Sequence, residues 1–271
     1  MVPDLDKTTR NDLSLPTLLR PRLALTDVSK SFSGRKVVDV DSLSFGDHPI
    51  EGLIGPNGAG KTTLMRMITG SLRPDSGHIR LEWEGRDDVE LSRLQTYQVA
   101  QRGVIKTNQV ITDFEGLTIL DSLLLPLTPA RREFPLHLVG ERATYEENRA
   151  EIDSYLDYFD LKDPCRLALS AGEKKLVDII RCLLLKPAVL LLDEPTAGLP
   201  GEVTQKVMAT VADMAARGTT VVIIEHDLDV IWTLCTQVTF MAEGRVMLRG
   251  EPSEIRKHKT VVESYLGQGH A

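Results

Sequence analysis

Eight consecutive residues carry the most specific chemical signal in the chain. Gly55-Pro56-Asn57-Gly58-Ala59-Gly60-Lys61-Thr62 fits G-x-x-x-x-G-K-[ST] at every fixed position. The pattern gains meaning from its surroundings. EGLIG reads as a strand leading into it, and KTTLMRMITG as a helix opening at Lys61 and closing at Gly70. Glycines let backbone N–H groups close around phosphate oxygens, and the helix N-terminus adds partial positive charge. Lys61 is placed as a point charge for β and γ phosphates, and the Thr62 hydroxyl as a ligand for Mg²⁺.

A second chemical group stands at Asp193-Glu194, directly after the apolar run Val189 to Leu192. In doubly wound sheets, ligands bind outside the carboxyl ends of strands. The carboxylate pair is therefore expected beside the phosphate loop. Asp193 suits Mg²⁺, held through its water shell, and Glu194 suits polarising an attacking water. His226 follows the apolar strand TTVVIIE and is again placed at a carboxyl end.

The elements that position these groups follow from hydrophobic patterning. LALTDVSKSF alternates like a strand, and LSFGDHPIEGLIG reads as strand, turn and buried strand. AVLLLDE and TTVVIIEHD are continuous apolar strands of the kind buried on both faces of a parallel sheet. Helices are expected from about Glu173 to Leu185 and from Glu202 to Arg217, and a hairpin around Glu243-Gly244. Alternating strands and helices imply an α/β fold with a mainly parallel sheet. Residues 112–170 differ in character: twelve acidic side chains against six basic ones carry most of the chain's net charge of −7. Within them ERATYEENRAEIDSYLDYF has helical spacing of Tyr145, Ile152, Tyr155, Leu156 and Phe159.

Composition narrows the function classes. With 271 residues the chain is long enough for a sizeable core. An acidic balance, 32 Lys and Arg against 39 Asp and Glu, is a poor match for a nucleic-acid footprint. No apolar run approaches the roughly 18 residues of a membrane span. MVPDLDKTTRNDLSLP mixes charges of both signs and reads as a polar extension rather than a secretory leader. Cys165, Cys182 and Cys235 have neither metal-ligand nor disulfide spacing and read as reduced thiols.

Leu169-Ser170-Ala171-Gly172-Glu173-Lys174-Lys175, just upstream of the Asp193-Glu194 strand, resembles the LSGGQ signature of ATP-binding-cassette (ABC) ATPases. The motifs occur in that family's order over residues 22–250. The resemblance implies a P-loop NTPase core with an antiparallel β subdomain and an inserted α-helical subdomain. It divides the chain into an extension (1–20), the ATPase core (21–111 and 171–251), the helical subdomain (112–170) and a C-terminal helix and tail (252–271). It implies ATP and Mg²⁺ as cofactors. Phe32 matches the aromatic that stacks on adenine, and residues 55–62 with Thr63 match the nucleotide-binding stretch. Gln109, in IKTNQV, matches the Q-loop glutamine, which contacts Mg²⁺ and the attacking water. Ser170 and Gly172 match signature residues that meet the γ-phosphate bound by a second subunit. Glu194 matches the catalytic glutamate and His226 the switch histidine. The chain departs from the pattern at Ala171, at Glu173 in place of the signature glutamine, and at Pro200 where many members carry a D-loop aspartate.

IIEHDLDVIW, GLTILDSLLL, AGLPGE and VVESYLG are similar to segments of ATPase subunits of branched-chain amino-acid importers. Lipopolysaccharide-export ATPases are close relatives with similar C-termini, and urea, other amides or aromatic solutes are further possible cargoes of the importer branch. A soluble ABC ATPase outside transport is the other reading; its usual second cassette, coiled coil or basic stripe is absent from this sequence. The resemblance implies a second ATPase subunit, identical or paralogous, two membrane-spanning permease subunits, an extracytoplasmic solute-binding protein, and a place on the cytoplasmic face of the membrane.

Overall fold

The computed structural model describes residues 20–107, 116–127 and 137–266, with residues 137–145 and 266 by backbone only. Strand β1 (Arg22–Phe32) turns at Ser33-Gly34 into β2 (Arg35–Phe45). Both turn residues have positive φ, 50° and 80°, which matches a two-residue turn to strand twist. β3 (Ile50–Ile54) leads through the phosphate-loop motif into α1 (Lys61–Ile68). β4 (Ser76–Glu82), β5 (Val89–Glu90), α2 (Thr96–Gln101) and β6 (Val104–Lys106) follow. Then come α3 (Ile119–Leu124), α4 (His137–Tyr158) and α5 (Ala171–Leu184). The chain continues through β7 (Val189–Asp193), α6 (Gly201–Ala216), β8 (Thr220–Ile224), α7 (Leu228–Leu234), β9 (Gln237–Ala242) and β10 (Arg245–Gly250). Two helices close it, α8 (Pro252–Ile255) and α9 (Lys259–Leu266).

The expected α/β architecture is present. One sheet has the order β10-β9-β3-β8-β7-β6 and is parallel except for β10 against β9. The other has the order β2-β1-β4-β5 and is antiparallel. The parallel sheet separates two apolar cores, so its central strands need apolar side chains on both faces. On β7, Leu190 and Leu192 enter the core shared with α5 and α6, while Val189 and Leu191 enter the one shared with α1 and the antiparallel sheet. β8 divides likewise, Val221 and Ile223 against Val222 and Ile224. That explains why both strands read as unbroken apolar runs. The expected hairpin at Glu243-Gly244 joins β9 to β10, with φ of 50° and 79° at the turn.

Ile152, Leu156 and Phe159 of the acidic region pack into the first of these cores together with Ile119 and Leu123 of α3. α5 begins two residues before the expected Glu173, because Ser170 and Glu173 form a reciprocal capping box at its start. The short helices α2, α3 and α7 had no counterpart in the sequence expectation. Among the described residues no helix is long and apolar enough to cross a membrane. All three cysteines are free, Cys165 exposed and the others buried. Burial pushes the Cys235 thiol up to about 12, so it has little thiolate character.

Candidate active site

The phosphate loop is built where β3 ends in the middle of the parallel sheet. Gly55 has φ 150°, and a Cβ there would lie 2.0 Å from the Met241 carbonyl oxygen. Gly60 has φ 99°, and its Cβ would lie 2.6 Å from the Val37 carbonyl oxygen. Both positions therefore exclude a side chain, and the loop is clamped between β9 and β2 by backbone approach alone. The Gly244 N–H donates to the Ala59 carbonyl at 3.1 Å, and the Gly55 N–H donates to the Tyr265 hydroxyl of α9 at 2.9 Å. α1 opens at Lys61 with no side-chain cap and no acidic residue in its first turn. Its leading N–H groups and positive dipole end are thus left uncapped by the helix's own side chains, as an anion site requires.

The buried Lys61 folds back along this loop, its Nζ donating to the carbonyls of Gly55 at 2.7 Å and Pro56 at 3.1 Å. Desolvation lowers its pKa, and the charges of Glu194 and Asp193 oppose that shift. The same interactions bring the acidic strand end to the phosphate loop, as the sequence expectation requires.

Asp193 closes β7, is buried, and has neither carboxylate oxygen in a hydrogen bond. Lys106 Nζ, at the end of β6, lies at ion-pair distance, 2.9 Å, but is not aligned for hydrogen bonding. The Asp193 N–H donates to the Thr107 hydroxyl at 3.1 Å. A buried carboxylate that accepts no hydrogen bond, beside a phosphate loop, fits a divalent cation shared with a nucleotide. Among the described residues no group of three or more His, Cys, Asp or Glu could form an all-protein metal cage.

Glu194 adopts φ 53°, a left-handed conformation that is uncommon for a non-glycine residue. Its N–H donates to the Ile224 carbonyl at 2.9 Å, and its own carbonyl accepts from Lys175 Nζ at 2.8 Å. The bend turns the side chain to His226, whose Nε2 lies 3.0 Å from Glu194 Oε1. The imidazole is about half exposed and the carboxylate less so.

Ser170 caps α5, and its hydroxyl donates to Glu173 Oε2 at 2.7 Å. The Ser170 N–H and the Arg166 guanidinium hold the Glu173 carboxyl down to about 2. Phe32 stands at the tip of the β1–β2 hairpin, 45% exposed, with Lys30 Nζ 5.8 Å from its ring centroid. Thr62 and Thr63 are half-buried in the first turn of α1. Gln109 and residues 112–115 and 128–136 of the expected helical subdomain lie outside the described residues.

Sequence reasoning missed four residues that bear on this geometry: Lys106, Lys175, Glu225 and Tyr265. Lys106 and Glu225 adjoin recognised motifs, and a charged residue at a buried strand end is a signal worth following. Lys175 lies inside the signature stretch, on the face of α5 that meets the 194–197 loop. Nothing local marks Tyr265, whose partner is 210 residues away.

The family model described as ABC transporter matches residues 38–197. The lipopolysaccharide export system ATP-binding protein LptB of Haemophilus influenzae is 30% identical over 91% of this chain and 97% of its own length. The high-affinity branched-chain amino acid transport ATP-binding protein LivG of Salmonella typhimurium is 30% identical over 92% of this chain and 99% of its own. Among solved structures, a nucleotide-free ATP-binding cassette from an ABC transporter superposes with a TM-score of 0.74 at 28% identity, covering 90% of this chain and 98% of that one. The ADP conformation of MJ1267, also a cassette of an ABC transporter, gives 0.73 at 28% identity, covering 91% and 99%.

Proposed function

Because the chain belongs to the ABC transporter family as an ATP-hydrolysing subunit, we propose that it powers solute uptake through partner membrane subunits, the solute being of branched-chain amino-acid type or a related amide. The observation that carries the hydrolytic reading is the Glu194–His226 pair, 3.0 Å apart beside Lys61.

In this reading the N–H groups at the start of α1, with Gly58 and Gly60, cradle the phosphates, and Lys61 moves from the loop carbonyls to the β and γ oxygens. Phe32 stacks on adenine at the hairpin tip. Asp193 and Thr62, with Gln109, would hold Mg²⁺, which would supply neutralisation of phosphate charge. Glu194 takes the proton of the attacking water, and His226 orients that carboxylate and reaches the γ-phosphate. Catalysis is chiefly positioning and electrostatic stabilisation of the transferring phosphoryl. Ser170 and Gly172, at the N-terminus of α5, complete the site of a facing subunit, so that ATP joins two subunits and hydrolysis releases them. Residues 112–170 carry the motion to the permeases, their negative charge matching the Lys- and Arg-rich cytoplasmic loops of membrane proteins.

Import is favoured by the four segments similar to branched-chain amino-acid importer ATPases and by the likeness to LivG. The comparable likeness to LptB favours a second reading, export of lipopolysaccharide or another lipid. Affinity capture of Glu194→Gln from its own cells with ATP and Mg²⁺, read by mass spectrometry, separates them. Two multi-span permeases with a solute-binding protein are expected. Envelope-bridging lipid-export subunits would reverse the direction, and recovery of no membrane protein would contradict a transport role.

A further inference from the structure

No motif singles out Glu225, yet its side chain joins the two loops that carry the Glu194–His226 pair. It is only 2% exposed. Its Oε1 accepts from both the N–H and the hydroxyl of Thr196, each at 2.7 Å. Its Oε2 accepts from the His226 N–H at 3.2 Å. Thr196 stands two residues beyond Glu194, and His226 directly follows Glu225. One carboxylate therefore grips the backbone that leaves the proposed general base and the backbone that presents the imidazole.

The local conformation gives this grip a purpose. Glu194 sits at φ 53°, and such conformations are strained and persist only where the surroundings over-determine them. The Ile224 carbonyl holds the Glu194 N–H, and Lys175 holds its carbonyl. Glu225 fixes the next turn of chain. It is also the restraint that reaches both loops through a side chain, so its chemistry can be changed while the backbone sequence is kept.

We propose that Glu225 is a positioning residue for ATP hydrolysis, setting the separation of Glu194 and His226 without touching nucleotide. This rests on the reading of that pair as hydrolytic machinery. A purely structural role predicts something different: lower stability, with unchanged turnover in every site that still binds ATP.

The test is single-turnover hydrolysis by the full-length chain with ATP and Mg²⁺, normalised to titrated nucleotide sites. Glu225→Gln preserves shape and one acceptor oxygen for Thr196, but sets an N–H against the His226 N–H. The rate per bound nucleotide should fall about tenfold to 100-fold, the scale of a small catalytic misplacement. The Kd for ATP should stay within about twofold, because the phosphate loop is untouched. In a His226→Ala background the same change should alter the rate by less than about twofold, since the group to be positioned is gone. Thr196→Val removes one donor and should repeat the pattern more weakly, which carries the test if Glu225→Gln fails to fold. An unchanged rate per bound nucleotide, or an equal loss with and without His226, overturns the proposal. If His226→Ala alone hydrolyses at the wild-type rate, the reading of the pair falls and the proposal with it. A drop in His226→Ala without one in Glu225→Gln removes only the positioning role.

Discussion

His226 Nε2 lies 3.0 Å from Glu194 Oε1, although 32 positions and two different strand ends separate them in sequence. The contact exists because β7 and β8 are parallel neighbours whose ends are level, Asp193 opposite Ile224. Adjacent parallel strands bring their carboxyl ends to one edge of the sheet, and β3 delivers the phosphate loop to the same edge. The site is thus a consequence of topology before it is one of side chains.

Lys106 and Asp193 form the most buried ion pair near that edge, with side chains 15% and 1% exposed. Removing one partner of such a pair strands the other, at a cost of about 3–5 kcal/mol. Lys106→Met should destabilise the protein on that scale in urea denaturation. In an Asp193→Asn background the same change should cost far less. Equal costs in both backgrounds would show that the two charges do not interact.

Tyr265 of α9 accepts from the Gly55 N–H, so the C-terminal helix is fastened to the phosphate loop. Tyr265→Phe leaves that partly buried donor without its partner, at about 1–3 kcal/mol. The melting temperature should fall by roughly 2–4 °C for each kcal/mol lost, and the KM for ATP should rise. An unchanged melting temperature and KM would mean that water replaces the hydroxyl freely.

Glu173 gives a pH signature. Its carboxyl is held at about 2, below the ordinary 4.5, by the Ser170 N–H and the Arg166 guanidinium. A depressed carboxyl pKa contributes stability that is complete above the unfolded-state value and disappears as pH falls through the folded-state value. Wild type should therefore exceed Glu173→Gln in urea midpoint at neutral pH. The difference should shrink below about 4.5 and vanish near 2. A difference independent of pH would assign the effect to packing.

Glu146 and Glu147 are exposed on α4. If the acidic region faces basic permease loops, neutralising both should lower the yield of assembled transporter and the transport rate, with ATP binding by the isolated chain unchanged. Unchanged assembly and transport would make this an ordinary solvated helix face.

The legible part of the molecule is the part encoded by contiguous residues. The phosphate loop declares itself because backbone closure needs glycine at fixed positions. β7 and β8 do so because burial on two faces leaves an unbroken apolar run. α5 starts two residues before the expected Glu173, where Ser170-x-x-Glu173 is a capping-box pattern, and Ser33-Gly34 is a turn dipeptide that marks the first hairpin. The contacts that finish the site are of another kind. Lys175 to the Glu194 carbonyl, Glu225 to Thr196 and Tyr265 to Gly55 join single residues across 19, 29 and 210 positions. Each depends on register between elements, which no local pattern records.

The central claim is that Glu194, oriented by His226, is the general base for ATP hydrolysis. Its most direct test is one assay of Glu194→Gln, reading ATP binding, turnover and subunit association with Mg²⁺ present. The amide keeps the shape of the carboxylate and loses its basicity. The account predicts ATP binding close to wild type, turnover lowered about 100-fold to 10,000-fold, and accumulation of an ATP-bound dimer. Wild-type turnover by Glu194→Gln would contradict it.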